Sequence, residues 1–239
     1  MWKTLALARR EDQAYFNSAM AYVVMAIYLA ITAVFFCLED FVPGRLAQMQ
    51  TFFFWANWIL VFVVPIMTMR LVSEEKARGT IETLMTAPVT DTQVVLGKFL
   101  GAMLFFLRLV ALTLIYVLTL VWFSTPEVGP ILAGYVGLLL VGMLYVAIGL
   151  LASVCTRFQI VSAMVSMVFL SIMTMLCYYM AQYAAPWGRK MLWFVGFTAR
   201  YQNFVKGTIA VEDVVFFLSL TALALFLSVK VLESRKWRA

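Results

Sequence analysis

The stretch PILAGYVGLLLVGMLYVAIGLLASV, residues 130–154, contains no charged side chain. A helix rises about 1.5 Å per residue, so about 20 apolar residues cross the ~30 Å hydrocarbon core of a bilayer. The stretch lacks the alternation of a membrane β-strand and is too long for one. It is therefore predicted to be a transmembrane helix.

Five further runs are also long, apolar and nearly free of charged side chains. They cover residues 17–38, 51–69, 99–124, 158–184 and 213–232. Hydrophobic residues make up 64% of the 239 positions and charged residues 13%, whereas a soluble domain averages about 45–50% and about 25%. The sequence predicts an all-α, polytopic membrane protein in which six transmembrane helices form a single domain over residues 1–239.

The distribution of cations predicts the orientation of the chain. Six spans place both termini on one side of the membrane, and that side carries twelve Lys and Arg residues against five on the other. Because cytoplasmic loops are enriched in Lys and Arg, we expect cytoplasmic termini and a cytoplasmic loop at 73–97.

Two segments outside the spans are expected to lie at the membrane surface. Residues 1–16 carry Trp2, Leu5, Arg9 and Arg10, which favours an interfacial helix on the cytoplasmic side; the alternative is a frayed soluble tail. Residues 185–212 are half apolar. They are predicted to form an extracytoplasmic re-entrant or interfacial segment whose backbone is covered by protein.

The loop between the second and third spans reads SEEKARGTIETLMTAPVTDTQVVLGK, residues 73–98, and has definite helix stops. Gly79 is expected to end one helix and Thr80 to begin a short one, which Pro88 ends. Thr90, followed three positions later by Gln93, predicts a capping box at the start of the next helix.

The short helix over 80–87 is predicted to be amphipathic. Ile81, Leu84 and Met85 share one face, and Glu82, Thr83 and Thr86 share the other. Two turns are not stable alone in water. Either the protein's own spans or a partner's groove holds this helix, or the segment is an ordinary loop with a solvated charged face.

The same loop resembles the signature of ABC-2-type permeases, the membrane subunits of ATP-driven transporters. The matching residues are Glu75, Gly79, Thr80, Glu82, Leu84, Pro88, Val89, Gly97 and Lys98. The stretches ARREDQAYFNSAMAYV (8–23) and YQNFVKGTIAVEDVVFFLSLTALALFLSVKVLESRKW (201–237) are similar to the gliding-motility-type branch of that family.

This resemblance implies a cytoplasmic coupling helix that docks on a cytosolic ABC ATPase, in the bacterial inner membrane. The residues implied at the ATPase contact are Glu74, Glu75, Arg78, Gly79, Thr80, Ile81, Glu82, Leu84, Met85 and Pro88. It also implies a second permease subunit, identical or related, and contact with membrane lipid, but no nucleic acid. The partner ATPase would bind ATP and Mg²⁺, and this chain would bind no cofactor.

The residues exclude several kinds of chemistry. The chain contains no histidine, which excludes metal or acid–base sites built on that side chain. VLGK ends like a phosphate-binding loop, but Thr92 stands where the first glycine should be. We therefore expect no nucleotide site and no enzymatic activity in this chain. Gly97 is expected to end an interfacial turn, and Lys98 to lie at the cytoplasmic headgroups.

Arg108 is a cation within the third apolar run. One interpretation is a structural residue that reaches the interface or donates a hydrogen bond to another helix. The other is a charge that faces a substrate, such as an anionic headgroup.

The predicted function is the permease subunit of an ATP-driven exporter. One alternative is a complex that transmits force from the ATPase to an envelope partner through residues 185–212. Another is a secondary carrier, which the lack of acidic residues inside the spans disfavours.

Overall fold

The computed structural model describes residues 2–40, 48–80 and 90–234, with no side-chain detail for residues 2 and 3. The described ranges are helical and contain no strand. The helices are α1 (Trp2–Phe16), α2 (Ala19–Phe35), α3 (Gln50–Thr68), α4 (Arg70–Arg78), α5 (Asp91–Leu112), α6 (Leu114–Phe123), α7 (Val128–Cys155), α8 (Gln159–Ser171), α9 (Cys177–Tyr183), α10 (Pro186–Val195), α11 (Phe197–Val205) and α12 (Val211–Glu233). Two π-helical turns, Phe36–Asp40 and Ile172–Leu176, follow α2 and α8.

Six stretches of the described chain are long and apolar enough to cross a membrane, which confirms the predicted fold class. They are Ala19–Asp40, Gln50–Arg78, Asp91–Phe123, Val128–Cys155, Gln159–Tyr183 and Val211–Glu233, named here the first to sixth spans. The second is longer than predicted, because its helical stretch continues through α4. The third begins at Asp91 instead of residue 99. The side of the bundle that holds α1 and the end of α12 is called the terminal side below.

The fourth span occupies the centre of the bundle. Helix α7 packs against α3, α5, α8 and α12. Three of its glycines lie against side chains of other helices: Gly137 against Phe204, Gly142 against Phe106 and Gly149 against Thr68. Close helix approach through small residues is the usual packing mode of membrane helices.

A buried polar cluster joins the centre of the bundle to the segment between the fifth and sixth spans. The Tyr145 hydroxyl donates to Asn57 Oδ1 at 3.0 Å and lies 2.7 Å from Thr174 Oγ1. Thr174 belongs to the π-helical turn of the fifth span, and its carbonyl accepts a hydrogen bond from Thr198 of α11 at 2.8 Å. The π-helical turn thus provides a backbone acceptor that fixes α11.

Helix α11 is part of the core, whereas α10 is not. Six of the nine residues of α11 are buried, and the Tyr201 hydroxyl donates to the Phe53 carbonyl. Arg200 donates to the buried Asp213 of α12 at 2.9 Å, so the sixth span holds α11 as well. No residue of α10 is buried.

Candidate functional site

Helix α4 leads directly to the predicted coupling segment. It ends at Arg78, and Gly79 follows with φ of 71°, the left-handed conformation that stops a helix. The predicted stop at Gly79 is confirmed. Thr80 Oγ1 donates to the Glu75 carbonyl at 3.4 Å. The predicted coupling helix beyond it and its residues Ile81, Glu82, Leu84, Met85 and Pro88 lie outside the described residues.

The chain after this segment begins α5 with a complete capping box. Gln93 N–H donates to Thr90 Oγ1 at 3.3 Å, and Thr90 N–H donates to Gln93 Oε1 at 3.3 Å. The predicted capping box is therefore confirmed. Both ends of the 81–89 segment are attached to helices that continue into the bundle.

The second span is interrupted at Met69, between α3 and α4, by a side chain of the fourth span. Ser153 Oγ accepts hydrogen bonds from the N–H groups of Val72 and Ser73 and donates to the Met69 carbonyl, each at 3.0 Å. The hydroxyl thus stands between Ser73 N–H and Met69 C=O, which would bond to each other in a continuous helix. A side chain inserted in this way is a recognised cause of helix kinks.

A second bond attaches α4 to the fourth span. Lys76 is buried and donates to the carbonyl of Val154, next to the last residue of α7. The last carbonyls of a helix have no partner within it, so this ammonium caps α7. We infer that α4 and the terminal-side end of α7 move together.

Lys98 links three helices. Its side chain is 1% exposed, and its ammonium lies 2.8 Å from Glu75 Oε1 on α4 and 2.9 Å from Glu11 Oε1 on α1. The predicted position of Lys98 at the headgroups is therefore wrong. The reason is that α1, which continues to Phe16, brings a carboxylate over α5 and buries the lysine.

The Lys98 network carries two negative charges against one positive charge. A buried ammonium loses its hydration, and two charge-assisted hydrogen bonds compensate for part of that loss. Glu75 Oε2 is buried and has no hydrogen-bond partner within the described ranges. The Lys98 ammonium thus bonds to both carboxylates and balances one of their two negative charges.

Glu74 of α4 forms ion pairs with two arginines of the same helix. Arg70 Nε lies 3.0 Å from Glu74 Oε2, and Arg78 lies 2.7 Å from Glu74 Oε1. Arg70 also donates to Ser18 Oγ at 2.9 Å, at the junction between α1 and α2. Of the predicted ATPase-contact residues, the structure thus pairs Glu74 with Arg78 and directs the Glu75 carboxylate to the buried Lys98.

Helix α1 packs along α5 through two glycines. A Cβ placed at Gly97 would lie 2.7 Å from Leu7 Cδ2, and one placed at Gly101 would lie 2.6 Å from Glu11 Cβ and 3.0 Å from the Ala8 carbonyl oxygen. The close contact requires the absence of side chains on α5. Gly97 lies inside α5, so the predicted turn at this position is wrong.

The C-terminal part of α1 reaches the second span as well. The Tyr15 hydroxyl donates to the Met67 carbonyl at 2.8 Å, and its ring stacks on Phe105. Burial, reinforced by the negative charge of Glu11, raises the pKa of Tyr15 above its ordinary value, so the hydroxyl stays protonated and keeps donating. The helix predicted for residues 1–16 therefore exists, and it is packed onto the bundle.

Arg108 forms an ion pair with α1. The two terminal guanidinium nitrogens, Nη1 and Nη2, donate to the Asp12 carboxylate, Nη2 at 2.8 Å, and the guanidinium lies over the Phe16 ring, 4.7 Å from its centroid. The side chain remains 47% exposed. Arg108 is thus a hydrogen-bond donor between helices, one of the two alternatives, and contact with a substrate stays a prediction.

Sequence reasoning missed the residues that attach α4 and α1 to the bundle. These residues are Glu11, Asp12, Arg70 and Ser153. The burial of Lys98 was missed as well. Two signals were available. Gly97 and Gly101 form a GxxxG pair where α5 enters the apolar run, and Glu11 and Asp12 are the only acids in residues 1–16.

Comparison with known proteins gives one family. The sequence model described as ABC-2 family transporter protein matches residues 6–236 of this chain. The match covers most of α1, the segment between the second and third spans, and all six spans. It does not distinguish the gliding-motility-type branch. A search of curated proteins finds no match.

Proposed function

We propose, since the chain belongs to the ABC-2 transporter family, that it is the permease subunit through which separate cytosolic ABC ATPases drive export of a substrate. The ATPases would bind ATP and Mg²⁺, and this chain would bind neither. Similarity over residues 8–23 and 201–237 favours the gliding-motility-type branch. The expected location is the bacterial inner membrane, with cytoplasmic termini.

The attachment of α4 is the observation that carries the coupling role. This helix immediately precedes the 81–89 segment, and it is bonded to α7 through Ser153, to α5 through Lys98, and through Lys98 also to Glu11 of α1. A force applied to the segment would therefore reach the second, third and fourth spans together. An ordinary solvated loop would need none of these buried contacts.

A coupling cycle follows from these contacts. ATP binding would bring two ATPases together and displace the 80–87 helix docked on each. Helix α4 would transmit the displacement to α7 and α5, and the Met69 interruption would allow α4 to change its angle to α3. Two permease subunits, identical or related, would form the pathway between them.

The experiment is copurification of ATPase activity with the tagged full-length chain from its native membrane. Leu84→Asp places a charge on the apolar face of the predicted 80–87 helix, and we expect it to lose the associated ATPase. Thr83→Asp places the same charge on the polar face and is the matched control. We expect it to retain the ATPase.

Two results would contradict the proposal. One is that the wild-type chain, purified from its native membrane, carries no ATP-hydrolysing subunit with it. The other is full retention of the ATPase by Leu84→Asp. Equal membrane insertion of the variants, measured by their yield in the membrane fraction, is the condition for comparing them.

A further inference from the structure

Helix α10 is an amphipathic helix with its apolar face uncovered. Trp187, Met191, Phe194 and Val195 follow the i, i+4, i+7, i+8 spacing of one helix face. All four are exposed, Trp187 at 77% and Phe194 at 66%. Trp193 is exposed beside them.

Helix α10 packs on the end of the fifth span. Gly196, directly after α10, lies beside Cys177, the first residue of α9: a methyl group added to Gly196 would be 3.4 Å from Cys177 Cβ. Helix α10 therefore runs antiparallel to α9 and returns toward the centre of the membrane. Over the seven residues from Trp187 to Phe194 it descends about 10 Å.

The two cations of α10 have different surroundings. Arg189 donates to the Ala181 carbonyl at 3.2 Å, at the end of α9, so it is used within the fold. Lys190 is exposed and pairs with no carboxylate in the described part of the chain. By helical spacing it neighbours Trp187 and Phe194. Lys190 is thus an unneutralised cation among aromatic side chains.

We propose that α10 binds an anionic phospholipid of the leaflet opposite the terminal side. The Lys190 ammonium contacts the lipid phosphate, and Trp187, Met191 and Phe194 lie along the glycerol and the upper acyl chain. Tryptophan and lysine are the residues that hold helices at this depth. The descending course of α10 makes its outer face continuous with the lipid-facing side of the fifth span, where Met180 is also exposed.

The test uses the full-length chain in vesicles of equal parts phosphatidylcholine and phosphatidylglycerol. In each sample one of the two lipids carries bromine on its acyl chains, and the bromine quenches the fluorescence of tryptophans in contact with that lipid. The contribution of Trp187 is the difference between the wild type and Trp187→Phe. We expect brominated phosphatidylglycerol to occupy this position about fivefold more than brominated phosphatidylcholine at low salt. High salt should reduce the preference.

Lys190→Gln should abolish the preference while quenching by both lipids persists, and Lys190→Arg should keep it. Lys206→Gln is the matched control, because Lys206 is an exposed cation on the same side but follows α11; it should behave as the wild type.

Equal quenching by the two lipids in the wild type, or a preference that survives in Lys190→Gln, overturns the proposal. So does the absence of Trp187-dependent quenching, which would indicate a protein on this face. ATPase association has no bearing on these readouts.

Discussion

The ammonium of Lys98 lies 2.8 Å from the Glu75 carboxylate, so the third span holds the helix that leads to the 81–89 segment. The same ammonium holds Glu11 of α1. The first span and α3 separate α1 from α4 in the sequence, and the two helices nevertheless meet at one buried cation on α5. A displacement of α4 cannot leave α1 and α5 unaffected while this cation is in place.

Lys98→Met is expected to destabilise the protein strongly. It leaves two carboxylates close together and without a cation, and breaking a buried ion pair typically costs about 3–5 kcal/mol. Thermal unfolding of the purified chain in detergent measures the loss. The same variant should also weaken the response of the associated ATPase to the membrane subunit.

Lys98→Arg is the control, because it keeps the charge and should retain most of the stability. Changing Glu11 and Glu75 to Gln in the Lys98→Met background removes the unneutralised charges, so part of the lost stability should return. An unchanged unfolding temperature in Lys98→Met would contradict the assigned role of the network.

Ser153→Ala should alter the joint between α3 and α4. Without the hydroxyl, Ser73 N–H can bond directly to the Met69 carbonyl, and we expect the second span to straighten at this point. The expected cost is about 1–3 kcal/mol, because Val72 N–H loses the hydroxyl that accepts its hydrogen bond. Amide hydrogen exchange of residues 69–73, together with thermal unfolding, measures both effects.

Ser228→Ala is the matched control for this change. Ser228 is equally buried, but its hydroxyl bonds only to the Ala224 carbonyl of its own helix. Its loss should leave the second span unchanged. If both variants gave the same exchange pattern at residues 69–73, the inserted hydroxyl would not be the cause of the interruption.

The elements that depend on local sequence were predictable. Long apolar runs identify the six spans because hydrocarbon requires helices of a minimum length. The stop at Gly79 and the capping box at Thr90 follow from the conformational preferences of single residues. None of these predictions requires knowledge of a contact between distant residues.

The contacts that organise the candidate site were not predictable in this way. Lys98 was predicted to be an interfacial cation, because the sequence does not show that α1 places Glu11 against it. Ser153 stands at the end of an apolar run with no local pattern that indicates its role, since its partners lie about 80 positions earlier. Long-range pairing of polar groups leaves no local pattern, so only the three-dimensional structure reveals it.

Gly101→Ala should loosen α1 from the bundle. The added methyl group would lie 2.6 Å from Glu11 Cβ, so α1 must shift, and overpacking of this kind costs about 1–3 kcal/mol. Hydrogen exchange in residues 4–16 should become faster. Gly129→Ala is the control, because no atom lies within 4 Å of its added methyl group, and it should leave α1 unchanged.

The pair formed by Asp12 and Arg108 makes a further prediction about how α1 is held. Arg108 is about half exposed, so we expect its interaction with Asp12 to contribute only about 0.2–1 kcal/mol. Arg108→Gln and Asp12→Asn should each increase exchange in α1 slightly. Because the two changes remove one interaction, the double variant should behave nearly as either single variant.

A charge swap provides the second test. Asp12→Arg combined with Arg108→Asp should form the ion pair again, so hydrogen exchange in α1 should be slower than in either of these two single variants. Fully additive effects, or no recovery in the exchanged pair, would show that Arg108 acts elsewhere, and the substrate-facing interpretation would then gain support.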